Sequence, residues 1–400
     1  MRSPIGVVHI FICTPAYRNK RDCGIYDNGS INYHYYSQMT TSKPKVLVVG
    51  SGGVGTMAAL ALTTRDRSEV TSVVRSDYDI ITSKGYSISS CTYGEIEGWR
   101  PHNVAKTVAD ARQYGPFDYI LLTTKNIPDG NHTCEDIIRP AVTDESVIIL
   151  IQNGIGMEHA MLEQFPNNII LSGVSFIGST NYNGKVVNTG KDHLHIGDFK
   201  EHDDTDEERK SRSQAAINRF VDLYQNDNDL NIVEVDHNVK KSRWSKLVFN
   251  SVFNTITTLV NMDVNSCQIL GANDTLFSPA IDELYAIARS DGVEIDPLVK
   301  HKFTHIGDGL FYAPSMCVDM RKKQLMELET ILGNPLKVAA ANGVPTPILS
   351  VVYSLLHLVQ FRIKQESGMI KIDQNDFKGN SDGYPKIYEE KYLHKSTKDE

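Results

Sequence analysis

The chain has few cysteines and no cysteine pairing pattern. Its six, at positions 13, 23, 91, 134, 267 and 317, include no C-x-x-C. That spacing argues against a disulfide framework and a cysteine zinc site, and it fits scattered thiols in a reducing compartment. Long hydrophobic runs are also missing: none approaches the ~20 residues that span a bilayer. Ile5 to Cys13 comes nearest to a signal-peptide core, but it is short, is interrupted by His9 and lacks a small-residue cleavage site. A cytoplasmic location is expected, with Arg2, Arg18, Lys20 and Arg21 leaving an organelle-targeting segment open. Positive charge is outweighed, 41 Lys and Arg against 49 Asp and Glu, for a net −8. This argues against a nucleic-acid footprint while leaving room for a local basic pocket.

At 400 residues, with 40% apolar and 22% charged, the chain can form about two globular domains with extensions. Residues 1–43, where Tyr26, Tyr33, Tyr35 and Tyr36 lie among polar residues, read as a poorly ordered extension. Residues 44–236 read as an α/β domain with a Rossmann-type parallel sheet. Residues 237–365 read as an all-helical domain, and 366–400 as a flexible, charge-rich tail.

The centre of the α/β domain is Lys45 to Gly55. An apolar run, Val46 to Val49, meets Gly50, Ser51, Gly52, Gly53, Val54 and Gly55, after which Thr56 to Leu62 reads as a helix. G-x-G-x-x-G between a strand and a helix is the dinucleotide fingerprint. Gly50 permits a tight turn, Gly52 lets a pyrophosphate approach the backbone, and Gly55 lets helix pack on strand. The phosphates would meet the free N–H groups of the helix N-terminus.

Glu69 to Val74 reads as the second strand and runs into Arg75 and Ser76. A guanidinium at that place suits a 2′-phosphate, favouring NADP over NAD, although Asp77 is positioned to take a ribose hydroxyl instead. Gly94 to Pro101 reads as loop. Strands over 116–124 and 146–151 end at Lys125 and at Gln152-Asn153-Gly154, so Lys125 and Asn153 stand on the edge where α/β sheets bind ligands. An Asn-Gly turn accounts for Asn153 without any ligand. His193 and His195 share one face of a strand. With no third ligand evident nearby, that face is read as solvated and no metal site is assigned.

In the helical part, Val239 to Leu259 is apolar over most of its circumference. Lys246, Asn250 and Asn254 recur along it at i, i+4 and i+8 as one polar stripe. Burying such a stripe requires partners, and a ligand cleft supplies them. Residues 315–332 read as a further helix, with Ser315 where a cap is expected and Glu327 and Glu329 near the other end.

Taken in order, these motifs resemble the ketopantoate reductases (2-dehydropantoate 2-reductases). The likeness runs over residues 45–363: Gly50 to Gly55, Val74-Arg75-Ser76, Thr124-Lys125, Ile151 to Gly156, Trp244 to Asn250 with Asn254, Pro314-Ser315-Met316 and Glu327-Leu328-Glu329. The resemblance implies NADPH and substrate between a Rossmann-type domain and a helical domain. It implies reduction of 2-dehydropantoate to (R)-pantoate, a step of pantothenate and coenzyme A biosynthesis. By position, Lys246 would be the general acid and Glu327 a catalytic or substrate-binding carboxylate, with Glu329 its rival. Asn153, Asn250, Asn254 and Ser315 would hold substrate, and Lys125 would lie near the nicotinamide. The expected partner is a small-molecule 2-oxo acid, with a homodimer allowed and neither nucleic acid nor membrane. The 200–212 insertion and the Thr92 to Pro101 loop depart from the shared pattern and leave other substrates open. The rivals are a D-2-hydroxy-acid dehydrogenase acting on another 2-oxo acid and a non-catalytic NADP-binding sensor.

Overall fold

The computed structural model describes residues 42–130, 132–200 and 205–393. The tyrosines of the N-terminal extension lie outside the described residues. Among those described, ten strands form one sheet: β1 Lys45–Val49, β2 Glu69–Val73, β3 Tyr86–Ser90, β4 Gly94–Trp99, β5 Asn103–Ala105, β6 Tyr119–Leu122, β7 Val147–Leu150, β8 Ile170–Tyr182, β9 Lys185–Asp198 and β10 Asn231–Val235. The order is β4-β3-β9-β8-β7-β6-β1-β2-β5, with β10 beside β9. From β5 to β8 every neighbour is parallel. The strand order reverses between β1 and β6, and the crevice beyond their C-terminal ends is where a doubly wound sheet receives its ligand.

Side-chain alternation explains why these strands are apolar throughout. Val46, Val48 and Leu121 pack on one face of the sheet. Leu47, Val49, Ile120 and Leu122 pack on the other. A strand covered on both sides has no polar face to show.

β8 and β9 form a long antiparallel hairpin across Asn183 and Gly184, whose φ values of 51° and 82° suit the turn expected of Asn-Gly. The Gly94 to Pro101 segment, expected as loop, is mostly β4, antiparallel to β3. Its Glu-Ile-Glu alternation holds Ile96 against a small core that includes Tyr86 and Ile88, and Trp99 lies 5.7 Å from the Tyr86 ring.

The C-terminal region is helical. Trp244, Phe253, Phe277, Leu284, Met326 and Leu349 are buried in its single core. The helix expected over 239–259 changes pitch. It is α-helical at Val239–Leu247, π-helical at Val248–Asn254 and α-helical again at Thr255–Val260. The helix expected over 315–332 is broken. It stops at Arg321, and Lys323 turns the chain with φ 53°. A π-helical segment, Glu329–Gly333, then leads into helix Asn334–Ala341. Residues 374–393, inside the expected tail, form short helical turns. Aromatic contacts hold them: Phe377 to Tyr384 at 5.2 Å, and Tyr388 to Phe361 of helix Pro347–Glu366 at 5.4 Å. No helix among the described residues is long and apolar enough to cross a membrane.

Candidate active site

The glycine turn is built as an anion cradle. Gly50 has φ +115°, and a Cβ there would lie 2.6 Å from the Thr124 nitrogen. A Cβ on Gly55 would lie 2.0 Å from the Gly50 carbonyl oxygen, so the first helix rests directly on the turn. Helix α1, Gly53–Thr64, has Gly52 as N-cap, no side-chain cap and no acidic residue in its first turn. Nothing lies within 4 Å of a Cβ built on Gly52. The leading N–H groups of α1 therefore have no side-chain cap as acceptor, and a helix terminus of this kind favours an anion. Gly53 has a further role that its sequence position did not announce: a Cβ there would collide with the Ser179 carbonyl of β8.

Arg75 is exposed just past the end of β2, as is Ser76. Asp77 is buried and accepts a hydrogen bond from Asn181 Nδ2 at 3.0 Å. The same Asn181 nitrogen donates to the Ser51 carbonyl at 2.7 Å. The acid that competed with Arg75 in the sequence is thus held in the protein, next to the turn.

The polar stripe is present and continuous through the change of pitch. Lys246 lies in the last turn of the first α segment and donates from Nζ to the Ser175 carbonyl of β8 at 2.5 Å. Burial pushes its ammonium pKa down to about 8; the Arg243 charge adds to the shift, while Glu327 and Asp192 oppose it. Asn254 Nδ2 donates to Asn250 Oδ1 at 2.9 Å. Asn254 Oδ1 accepts from the Met316 N–H at 3.2 Å and, weakly, from Ser315 Oγ at 3.4 Å. Ser315 is exposed and its hydroxyl does not cap its helix, whose N-cap is Pro314. Asn250 is 6% exposed, and its Nδ2 has no hydrogen-bond partner. Asn250 also lines a small cavity together with Asn153, Gly154, Val174, Lys246 and Leu247. A buried, unpaired donor beside an ammonium is a polar site waiting for an acceptor.

Glu327 and Glu329 separate clearly. Glu327 Oε1 accepts from the Asn126 N–H at 3.1 Å, at the end of the β6 loop. Burial pushes the Glu327 pKa up to about 7; the Asn126 N–H, Lys125 and the Asn153 side chain oppose the shift, and Asp319 adds to it. Glu329 points elsewhere, accepting from Tyr353 OH at 2.6 Å and pairing with Lys337 at 3.6 Å. Lys125 is occupied by the helical region: its Nζ pairs with Asp319 at 2.7 Å and donates to Gln324 Oε1 at 3.3 Å. Since the chain breaks after Arg321, Ser315 and Glu327 reach this region from different elements. They do not lie on one helix as their spacing suggested.

The Asn153 loop is fastened from two sides. Gly154 has φ +99°, and a Cβ there would lie 2.4 Å from the Thr330 carbonyl, so a glycine is needed for the approach. The Ile155 N–H donates to that same carbonyl at 3.0 Å. Sequence reasoning missed the second fastener, Arg243. It is 4% exposed and donates to the carbonyls of Gln152 at 2.8 Å, Gly154 at 3.1 Å and Leu150 at 2.9 Å. Its partner Glu158 is also buried. The one available signal was an arginine one turn before Lys246 on a helix already read as buried.

Comparison with known proteins places this geometry. Residues 46–201 match the family model "Ketopantoate reductase PanE/ApbA", and residues 238–360 match that family's C-terminal model. An uncharacterised Saccharomyces cerevisiae protein, YDL144C, is 43% identical over 354 residues, covering 82% of this chain and 97% of its own. The crystal structure of 2-dehydropantoate 2-reductase from Methylococcus capsulatus is 27% identical with a TM-score of 0.64, covering 80% of this chain and 97% of its own. A D-mandelate dehydrogenase solved as a ternary structure with NADH and anilino(oxo)acetate shares the fold at 19% identity and a TM-score of 0.68, covering 80% of this chain and 99% of its own. With both family models matched in order over most of its length, and a full-length relative at this identity, the chain belongs to the ketopantoate reductase PanE/ApbA family of oxidoreductases.

Proposed function

We propose that the chain reduces a 2-oxo acid with NADPH, with 2-dehydropantoate the preferred substrate and (R)-pantoate the product. The observation that carries this reading is the pairing of Lys246 with the unpartnered Nδ2 of Asn250 in one cavity. The cavity is bordered by the Asn153 loop, at the ligand-binding edge of the sheet. The residues fit a dinucleotide: α1 begins uncapped, Gly52 is open, and Arg75 is exposed at the end of β2 where a 2′-phosphate is read. NADPH, when bound, supplies the hydride that reduces the ketone carbon.

The chain's own residues do the rest. Negative charge develops on the ketone oxygen as the carbon is reduced. The Lys246 ammonium hydrogen-bonds that oxygen, stabilises the charge and delivers a proton from Nζ. Its lowered pKa makes it a better acid than an ordinary lysine. Asn250 Nδ2 donates to a substrate oxygen, Asn254 holds Asn250 in place, and Ser315 meets the substrate's polar end. Asn153 borders the cavity, and Glu327 stands beside Asn153. The Glu327 carboxyl, with its pKa near 7, is available to accept a hydrogen bond from a substrate hydroxyl.

The fold shared with D-mandelate dehydrogenase favours a second reading, a D-2-hydroxy-acid dehydrogenase using another 2-oxo acid and NADH. One measurement separates them: oxidation of NADPH and of NADH with 2-dehydropantoate and a panel of 2-oxo acids. The highest kcat/KM with NADPH and 2-dehydropantoate supports the first reading. A preference for an aryl 2-oxo acid or for NADH overturns it.

A further inference from the structure

On the sheet's β9–β10 edge, away from the glycine turn, three side chains converge that the proposed reduction does not use. β9 presents His193 and His195 on one face, and parallel β10 sets Glu234 directly opposite His195. The sequence showed two histidines without a nearby third ligand; sheet register brings that ligand from about 40 residues downstream. His193 Nε2 lies 2.9 Å from Glu234 Oε1, and His195 Nδ1 lies 4.0 Å from Glu234 Oε2. The ligand atoms of His193, His195 and Glu234 all fall within 4.8 Å of one another. A further carboxylate stands beside His195, outside that three-residue cluster. Asp236 Oδ2 is 4.0 Å from His195 Nδ1, and it is buried without a hydrogen-bond partner.

We propose that His193, His195 and Glu234, with Asp236 as fourth donor, bind one first-row divalent transition metal ion of the zinc type. Two imidazoles with carboxylates suit such an ion rather than magnesium or calcium, which prefer all-oxygen shells. Tetrahedral zinc needs donors about 3.4 Å apart, and the present imidazole–carboxylate separations of 2.9 Å and 4.0 Å bracket that spacing. Glu234 and Asp236 bring two carboxylates to the imidazoles, with Lys302 also near His195.

The ion would fasten β9 to β10 at the point where the chain enters the catalytic helix. β10 ends at Val235, Asp236 follows, and the helix carrying Lys246 starts at Val239. Phe176 packs on His195 at 5.4 Å, and its ring centroid is 5.5 Å from Lys246 Nζ. The cluster is thus one aromatic ring from the amine.

The test uses the full chain, stripped of metal and titrated with Zn²⁺ against a chromophoric chelator, with thermal unfolding recorded at each loading. One Zn²⁺ per chain and a rise in Tm are expected. The double variant H193N/E234Q should weaken binding by about tenfold or more and lose the Tm rise. Unchanged affinity in that variant, or no Tm rise in the wild type, overturns the proposal. If the variant does not fold, X-ray absorption of the Zn²⁺-loaded wild type decides. Two imidazole nitrogens in the shell support the site, and sulfur-dominated coordination overturns it. None of these readouts depends on reductase activity, so the site stands or falls separately from the proposed function.

Discussion

Arg243 Nε lies 2.5 Å from Glu158 Oε1 with both side chains buried, and this pair joins the helix of Lys246 to the sheet domain. The remaining guanidinium nitrogens are used on the backbone of the Asn153 loop and of β7. One side chain therefore sets the distance between Lys246, three residues along its helix, and Asn153. A buried pair adds little to stability compared with an apolar substitute, but breaking it strands a charge. Arg243→Met should destabilise the fold by about 3–5 kcal/mol in chemical denaturation, because Glu158 is left unpaired. The double variant R243M/E158L should recover much of that loss. A loss below about 1 kcal/mol in the single variant would show the pair is not buried as described. Arg243→Lys is not conservative here, since an ammonium cannot replace five forked donors.

Lys246 governs both rate and pH dependence in the proposed reaction. Lys246→Ala should lower kcat by about 10²–10⁴-fold while leaving the NADPH Kd within a few-fold. The protonated amine is the working form for reduction. With its pKa near 8, kcat/KM for the ketone should fall above that pH, separately from any change near pH 7 that belongs to Glu327. In the reverse direction the neutral amine accepts the proton, so the rate should rise through the same window. Lys246→Arg keeps a charge that does not titrate and should abolish the limb at a reduced rate. A limb that persists in that variant belongs to another group.

How far these features could be read beforehand follows from their range along the chain. The glycine turn is mostly local: the turn at Gly50 and the close packing at Gly55 follow from six residues and agree with the structure, whereas the constraint on Gly53 comes from Ser179 of β8. The Lys246–Asn250–Asn254 stripe is also local, and helical spacing exposes it. What was hidden depends on distant partners. Nothing near Arg243 announces Glu158, 85 residues earlier. Glu327 and Glu329 cannot be told apart until Asn126 and Tyr353 are placed around them. The break after Arg321 was masked because residues 315–332 keep enough apolar positions to imitate one helix. β4 was missed because Gly94 and Gly98 read as loop residues, although Ile96 between two glutamates carried the strand alternation.

Arg75 tests the cofactor preference. It stands exposed at the end of β2, while Asp77, the residue suited to a ribose hydroxyl, is bound to Asn181. A guanidinium–phosphate contact contributes about 1.5–3 kcal/mol. Arg75→Ala should therefore raise the NADPH KM by about 10- to 100-fold and leave that for NADH nearly unchanged. An equal effect on both nucleotides removes the 2′-phosphate role. Asn181→Ala frees Asp77 and should shift the preference toward NADH.

Asn250 and Asn254 are neighbours with opposite expected consequences. Asn254 is committed to the fold: its Oδ1 accepts from the Met316 N–H, and its Nδ2 is given to Asn250. Asn254→Ala leaves a buried N–H unpaired and should cost about 1–3 kcal/mol of stability. Asn250 offers a donor that no protein atom accepts. Removing it forfeits only its acceptance from Asn254 inside the protein, but takes one hydrogen bond from the substrate. Asn250→Ala should raise the KM for the 2-oxo acid by about tenfold or more, with a Tm near that of the wild type. The NADPH Kd should not move, because the cavity holding Asn250 is lined by the Asn153 loop and not by the glycine turn. An unchanged KM beside a large fall in Tm would make Asn250 a structural residue and leave Lys246 without its partner in the site.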